Sequence, residues 1–285
     1  MLIDDVVEFL DGMNPLRLPV ARRFRDDLIA ARRCVLEEDA TRAAAHAFMA
    51  RPSSIEVNLA AATLPEGAHW IEFPDAARRT VLSAFGIGFI AGEQPERVGY
   101  LLQPRDGGRA GTAAIFWRHA GRTPSFATFD LAWTFAPGAV FGPYAEPLML
   151  PDPAFVPASG YLPDDGEVAC HVRLMARFDI TMNPLAEQVA AALPLPQRTA
   201  MMMEANQAAA SDTGGEVGML ASALLMLNCA DGVARRAVAP SEKLNRARVK
   251  KGRRSLLDAE AIALADSNWR GAYAADAGRI VWRAA

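Results

Sequence analysis

Residues 98–117 read VGYLLQPRDGGRAGTAAIFW. Two apolar runs, Val98–Leu102 and Thr112–Trp117, flank Arg105-Asp106-Gly107-Gly108. Asp-Gly followed by a second glycine supplies backbone positions that tolerate positive φ, which a tight hairpin requires. The stretch predicts an antiparallel hairpin at the centre of the chain. Two neighbouring segments extend it: His69-Trp70-Ile71-Glu72-Phe73 has a short strand pattern, and Phe126–Phe135 is an aromatic, β-prone run.

Outward from this centre, both ends read as helix. Asn14-Pro15 offers an N-cap and a first helical position, and Leu16, Val20, Phe24 and Leu28 recur every four residues on one face. A second helix is expected over Asp39–Met49, stopping before Pro52. Towards the C-terminus, Asn183-Pro184 opens a helix through Ala192, which Pro194 and Pro196 interrupt. Helical patterns follow over Gln197–Ala210 and Glu216–Cys229, separated by Gly214-Gly215. The expected class is α+β. A helical region (1–52) leads into a mainly β region (53–168) with a central antiparallel sheet, and that region ends in a Pro- and Gly-rich connection over 136–168. A helical region (169–285) closes the chain with a basic block at 235–254 and a final short strand pair. The three regions are separate units or parts of one domain.

The chain has 285 residues, 51% of them hydrophobic and 22% charged, with a formal net charge of −3. It can bury enough apolar surface to fold, so global disorder is excluded. Cys34, Cys170 and Cys229 are odd in number and far apart, which excludes a disulfide scaffold. Asp4, Asp5, Glu8 and Asp11 occupy the N-terminus where a signal peptide needs positive charge. The runs Val81–Ala91 and Val217–Cys229 fall short of the ~20 residues that span a bilayer. These features predict a cytoplasmic protein without a membrane partner.

Charge is concentrated in one place. Residues 235–254 hold Arg235, Arg236, Lys243, Arg246, Arg248, Lys250, Lys251, Arg253 and Arg254 against the single acid Glu242, a local charge of +8. The remainder therefore carries −11, and the chain's three lysines all lie in this block. Ser241 is placed to cap a helix ending near Gly252, with Lys243, Arg246 and Lys250 on one stripe and Leu244 and Ala247 facing inward. Such a stripe suits nucleic-acid phosphates, with Asn245 adding a hydrogen bond. The plainer reading is a solvated basic face paired with acids of the same chain or a partner.

The segment Leu224-Leu225-Met226-Leu227-Asn228-Cys229, followed by Pro240-Ser241-Glu242-Lys243-Leu244-Asn245-Arg246-Ala247-Arg248-Val249-Lys250-Lys251-Gly252-Arg253, resembles a family of uncharacterised phage and prophage proteins. In that family an apolar helix ending in Met-Asn-Cys precedes a Pro-x-Glu-Lys-Leu-Asn-x-x-Arg-x-Lys-x-Gly-Lys stretch and then a strand. Asn268-Trp269-Arg270-Gly271 and Gly278-Arg279-Ile280-Val281-Trp282 look like a degenerate form of the family's C-terminal pattern, without its histidines. The resemblance covers a tenth to a fifth of the chain. It implies an origin in a mobile element and brings no mechanism.

Other motifs are weaker. Gly86-Ile87-Gly88-Phe89-Ile90-Ala91-Gly92 is a near miss to a dinucleotide fingerprint, but Glu93-Gln94-Pro95 stands where the pyrophosphate-binding helix should begin. It reads as a buried glycine-rich turn. His46, His69, His119 and His171 are scattered, and Cys170-His171 would point to opposite faces of a strand. The acidic Asp164, Asp165 and Glu167 read as a solvated loop, and the methionines (Met201, Met202, Met203, Met219, Met226) and tryptophans (Trp117, Trp133, Trp269, Trp282) as core. No metal or cofactor site is expected. Three functional readings follow. The first is a non-enzymatic phage-type protein holding DNA or RNA phosphates on Arg235, Arg236, Lys243, Asn245, Arg246, Arg248, Lys250, Lys251, Arg253 and Arg254. The second is a structural or interaction component that docks an acidic protein surface or self-associates. The third is an enzyme with a site around His119, Cys170-His171 and Asp164-Asp165.

Overall fold

The computed structural model describes residues 1–13, 18–49, 57–58, 64–84, 94–135, 140–141, 176–200, 203, 216, 219–224, 226–227 and 233–264. In chain order the elements are α1 (Leu2–Gly12), α2 (Pro19–Ala30), β1 (Arg32–Leu36), α3 (Glu38–Met49), β2 (Val57–Asn58), β3 (His69–Pro74), α4 (Asp75–Ala84), β4 (Arg97–Arg105), β5 (Ala110–Arg118), β6 (Ser125–Phe135), β7 (Val140–Phe141), β8 (Ala176–Met182), α5 (Pro184–Ala191), β9 (Val233–Val238), α6 (Glu242–Lys250) and β10 (Ala259–Leu264). Residues 195–200 and 219–224 are also helical. The fold is α+β, around an eight-stranded sheet ordered β8-β6-β5-β4-β3-β1-β10-β9.

The expected hairpin is β4–β5, paired from Arg97↔Arg118 to Arg105↔Ala110. Asp106 and Gly107 take left-handed φ values of 52° and 66° at its turn, the backbone that a right-twisted hairpin demands. β3, β6 and β8 pair antiparallel around it. Two differences from the expectation stand out. The first fifty residues are not all helix, because β1 lies between α2 and α3. And β1 pairs parallel with both β3 and β10, so the sheet is mixed. Strands from the beginning, middle and end of the chain share this one sheet.

Both sheet faces are covered. Trp70, Leu101, Ala114 and Phe116 face α1, α2 and α5, meeting Ile3, Val6, Phe24, Leu28 and Leu185. The alternate residues Ile71, Phe73, Tyr100, Leu102 and Ile115 join Ala40 and Ala44 of α3 and Leu220 and Leu224 in the second core. Side chains alternate across a strand, so a strand buried on both faces is continuously apolar. This explains why residues 98–102 and 112–117 do not alternate with polar ones. Gly99 faces α1's side of the sheet, and a Cβ there would lie 2.2 Å from the ring of Trp70. The indole thus occupies the space a side chain would need.

Buried polar groups join the layers. Glu72, fully buried on β3, accepts the Ile3 N–H at the start of α1 (3.1 Å) and the Trp70 indole N–H (3.0 Å), and Arg97 pairs with it at 2.9 Å. A strand carboxylate therefore caps a helix whose N-cap, Met1, has no capping side chain. On the other face Arg78 bridges Asp75 (2.6 Å) and Glu216 (2.5 Å), and Tyr100 donates to Glu216. Asn183 caps α5 as expected, accepting from the Leu185 and Ala186 amides.

Phe24 and Leu28 of the four-residue series are buried on α2, which begins at Pro19; Asn14-Pro15 and Leu16 lie outside the described residues. So do the glycine cluster, the acidic loop, Cys170-His171 and most of 136–168, whose described residues 140–141 pair with 57–58. Residues Thr80–Ala84, ahead of the glycine cluster, form the end of α4. Trp133, Met219 and Met226 are core residues, whereas Met203 is exposed. No helix among the described residues is long and apolar enough to cross a membrane.

Candidate nucleic-acid interface

The basic block is an excursion from the edge of the sheet. The chain leaves along β9, forms α6, turns at Gly252 and returns as β10, antiparallel to β9. Ser241 Oγ accepts the Leu244 N–H at 3.3 Å, as its position predicts. Gly252 has φ +69°, and the Arg253 N–H bonds back to the Arg248 carbonyl at 3.0 Å, a glycine-based helix stop.

The excursion is fastened by its own polar residues. Asn245 Oδ1 accepts the Leu256 N–H at 2.8 Å, and its Nδ2 faces the Leu256 carbonyl at 3.5 Å. Arg248 Nε donates to the Arg254 carbonyl at 3.0 Å, and its terminal nitrogen pairs with Glu8. On α1 the acids Asp4, Glu8 and Asp11 fall at helical spacing along one side. Asp4 accepts the Leu257 N–H at 2.9 Å, so α1's acidic edge holds the excursion in two places, α6 through Glu8 and the returning loop through Asp4. Burial pushes the Asp4 pKa up, and the Leu257 N–H and the N-terminal amine oppose that shift.

The nine cations divide into two sets. Arg235 pairs with Glu260 (2.8 Å) and donates to the Leu227 carbonyl (2.7 Å), Arg236 pairs with Glu37 (2.6 Å), Arg246 with Glu242 and Arg248 with Glu8. Lys243, Lys250, Lys251, Arg253 and Arg254 meet no carboxylate among the described residues, and all but Arg254 are exposed. The Arg246–Glu242 pair is itself 75% and 84% exposed, and such helix-surface pairs contribute only ~0.3–0.5 kcal/mol. At about 100° per residue, Lys243 and Lys250 lie within ~20° of one another and ~140–160° from Asn245. The clamp and the cationic stripe are therefore opposite sides of α6. The expectation that Leu244 and Ala247 face inward is not met. α6 buries no side chain, Leu244 is 47% exposed and Val249 57%. Polar clamping, not apolar packing, attaches this helix.

Of the residues considered for an enzyme site, His119 alone is described, on the partly buried turn after β5. Among the described residues no group of three His, Cys, Asp or Glu is placed to hold a metal ion. Cys34 is buried on β1 with its thiol pKa pushed up to about 11, chiefly by burial, so at neutral pH it is a packed thiol rather than a nucleophile. Sequence reading located the basic block but missed the clamp. Its one signal was Asn245 three residues before Arg248, on the side of the helix away from the lysines. Comparison of the chain with protein-family models, with curated proteins and with solved structures finds no match.

Proposed function

We propose that the protein is a non-enzymatic, phage- or prophage-type protein that binds DNA or RNA phosphates through the segment 235–254. The supporting observation is a set of four exposed cations, Lys243, Lys250, Lys251 and Arg253, with no carboxylate partner among the described residues, on and just after a helix that buries nothing. Arg246 joins them by exchanging its weak intrahelical partner for a phosphate. Asn245 and Arg248 position the helix; Arg235 and Arg236 fix its root at the sheet edge. The contacts are to the backbone and neutralise charge, so the binding is not base-specific.

With about five phosphates neutralised, affinity for duplex DNA falls with a log–log salt slope of ~−4.5, or ~500-fold between about 50 and 200 mM salt. Retention on DNA at two salt concentrations measures this. Lys243→Gln/Lys250→Gln/Lys251→Gln removes most of the slope, and salt-insensitive or absent binding by the unmodified chain rejects the reading. A second reading is favoured by the exposed Leu244 and Val249 beside the cations: docking of an acidic protein surface. A large homo-assembly formed without nucleic acid would select that one.

A further inference from the structure

β9 is a terminal strand of the sheet, paired with β10 on one side and, among the described residues, with no strand on the other. Its sequence, Val-Ala-Arg-Arg-Ala-Val, contains no proline. Its pairing with β10 runs from Val233↔Leu264 to Val238↔Ala259 without a bulge. Ala234, Arg235, Arg236 and Ala237 are exposed. Alternate N–H and C=O groups of such a strand point away from its one neighbour and offer a template for a further strand.

The side chains say which strand fits. Residues opposite one another in an antiparallel pair share a face. Arg235 lies opposite Ile262, on the face of the larger core, and Arg236 lies opposite Ala261, on the other face. Each face of this edge thus carries one guanidinium. Their own acids both lie on the inner side: Glu260 is on β10, and Glu37 follows β1. Arg236 is 70% exposed and places one terminal nitrogen on Glu37. That surface pair is weak and leaves donors for an acid arriving from outside. The exposed Lys243, Lys250 and Lys251 of the basic block follow just past the end of the strand.

A second copy of the chain does not suit this edge. Two β9 strands aligned antiparallel along their full length set Arg235 of each against Arg236 of the other, and a shift of one residue sets like against like. Arginine opposes arginine in each of these registers, which is destabilising.

We propose that the free edge of β9 binds an extended acidic segment of a partner protein, which adds a strand to the sheet and sets two consecutive acidic residues against Arg235 and Arg236. Consecutive strand residues point to opposite faces, so one acid meets each guanidinium whichever way the added strand runs. The arginines repel basic strands and a second β9, so the charge that protects the edge also selects its partner. This inference goes beyond the phosphate-binding reading and does not rest on it.

Fluorescence anisotropy on the full chain tests it, with a labelled, end-blocked peptide Thr-Val-Glu-Glu-Val-Thr as the probe. Saturable binding with Kd below about 1 mM is expected. Moving the acids to the ends, as in Glu-Val-Thr-Thr-Val-Glu, weakens binding at least about tenfold. N-methylation of one alternating set of peptide amides abolishes binding, and the other set tolerates it, because only one set faces β9. Arg236→Glu leaves the circular dichroism spectrum unchanged, weakens the acidic peptide at least about tenfold and admits Thr-Val-Lys-Lys-Val-Thr in its place. Arg236→Gln weakens the acidic peptide about threefold. Lys243→Gln/Lys250→Gln/Lys251→Gln changes its affinity by less than about threefold. Absence of binding overturns the proposal, as does binding indifferent to the position of the acids or to which amides are methylated. Self-association of the unmodified chain that blocks the peptide assigns the edge to a second copy and also overturns it. Peptide binding without DNA binding rejects the phosphate reading alone. DNA binding without peptide binding rejects the strand-docking proposal alone.

Discussion

Asp130 is almost wholly buried on β6, where Asn183 Nδ2 donates to its carboxylate at 2.7 Å. Burial pushes its pKa up to about 7, against the Asn183 hydrogen bond and the charge of Arg23, which pull it down. The folded state thus holds this proton more tightly than the unfolded chain, whose value is near 3.8. The Asp130 contribution to stability is fully present below about pH 4 and is lost as pH rises through about 7. The ceiling on that loss is ~4 kcal/mol. Asp130→Asn keeps an acceptor for Asn183 and removes the titration. Urea unfolding from pH 4 to 8 is expected to show a decline for the unmodified chain that the variant lacks; parallel curves would assign the pH dependence elsewhere.

Among the elements, α6 buries no side chain. Three clamp groups fix it: the Asn245 amide, the Arg248 guanidinium and Glu8. Asn245→Ala should free the turn at Lys250–Arg254, raising tryptic cleavage there at least about tenfold through local opening. Since α6 buries nothing, the midpoint of global thermal unfolding should shift by no more than ~4 °C. Unchanged cleavage would show that the clamp is not what holds the loop. The same contrast explains what could be read beforehand. The β4–β5 hairpin, the α5 cap at Asn183 and the α6 cap at Ser241 are local signals, each complete within a few residues. β1 and β10 are not local. Arg32-Arg33-Cys34-Val35-Leu36 is short and sits between two helices, and Ala259-Glu260-Ala261-Ile262-Ala263-Leu264 has the composition of a helix former. They become strands because each supplies the other's hydrogen-bonding edge, across more than two hundred residues.

For the molecule as a whole, β10 is the strand that joins the two ends of the chain, lying between β1 and β9 with Ile262 fully buried in the larger core. Ile262→Asp places a charge there with no partner, a cost of several kcal/mol against a usual total of ~5–15. Circular dichroism is expected to show general unfolding, not loss of one edge. Leu244→Asp, on exposed α6, is expected to leave the spectrum intact. Two independent halves would instead leave the β4–β5 hairpin region folded in the Ile262 variant.

The parallel β1–β10 pairing also sets an order in time. During synthesis, the hydrogen-bonding edge of residues 32–36 waits until residue 264 has been made, 264 − 36 = 228 residues later. At ribosomal rates of ~5–20 residues per second, that wait is roughly 10–45 s. A nascent chain therefore carries an open sheet edge through most of its translation. The cations at 243–254 lie between β9 and β10, so they take up their final arrangement only after β10 has been made.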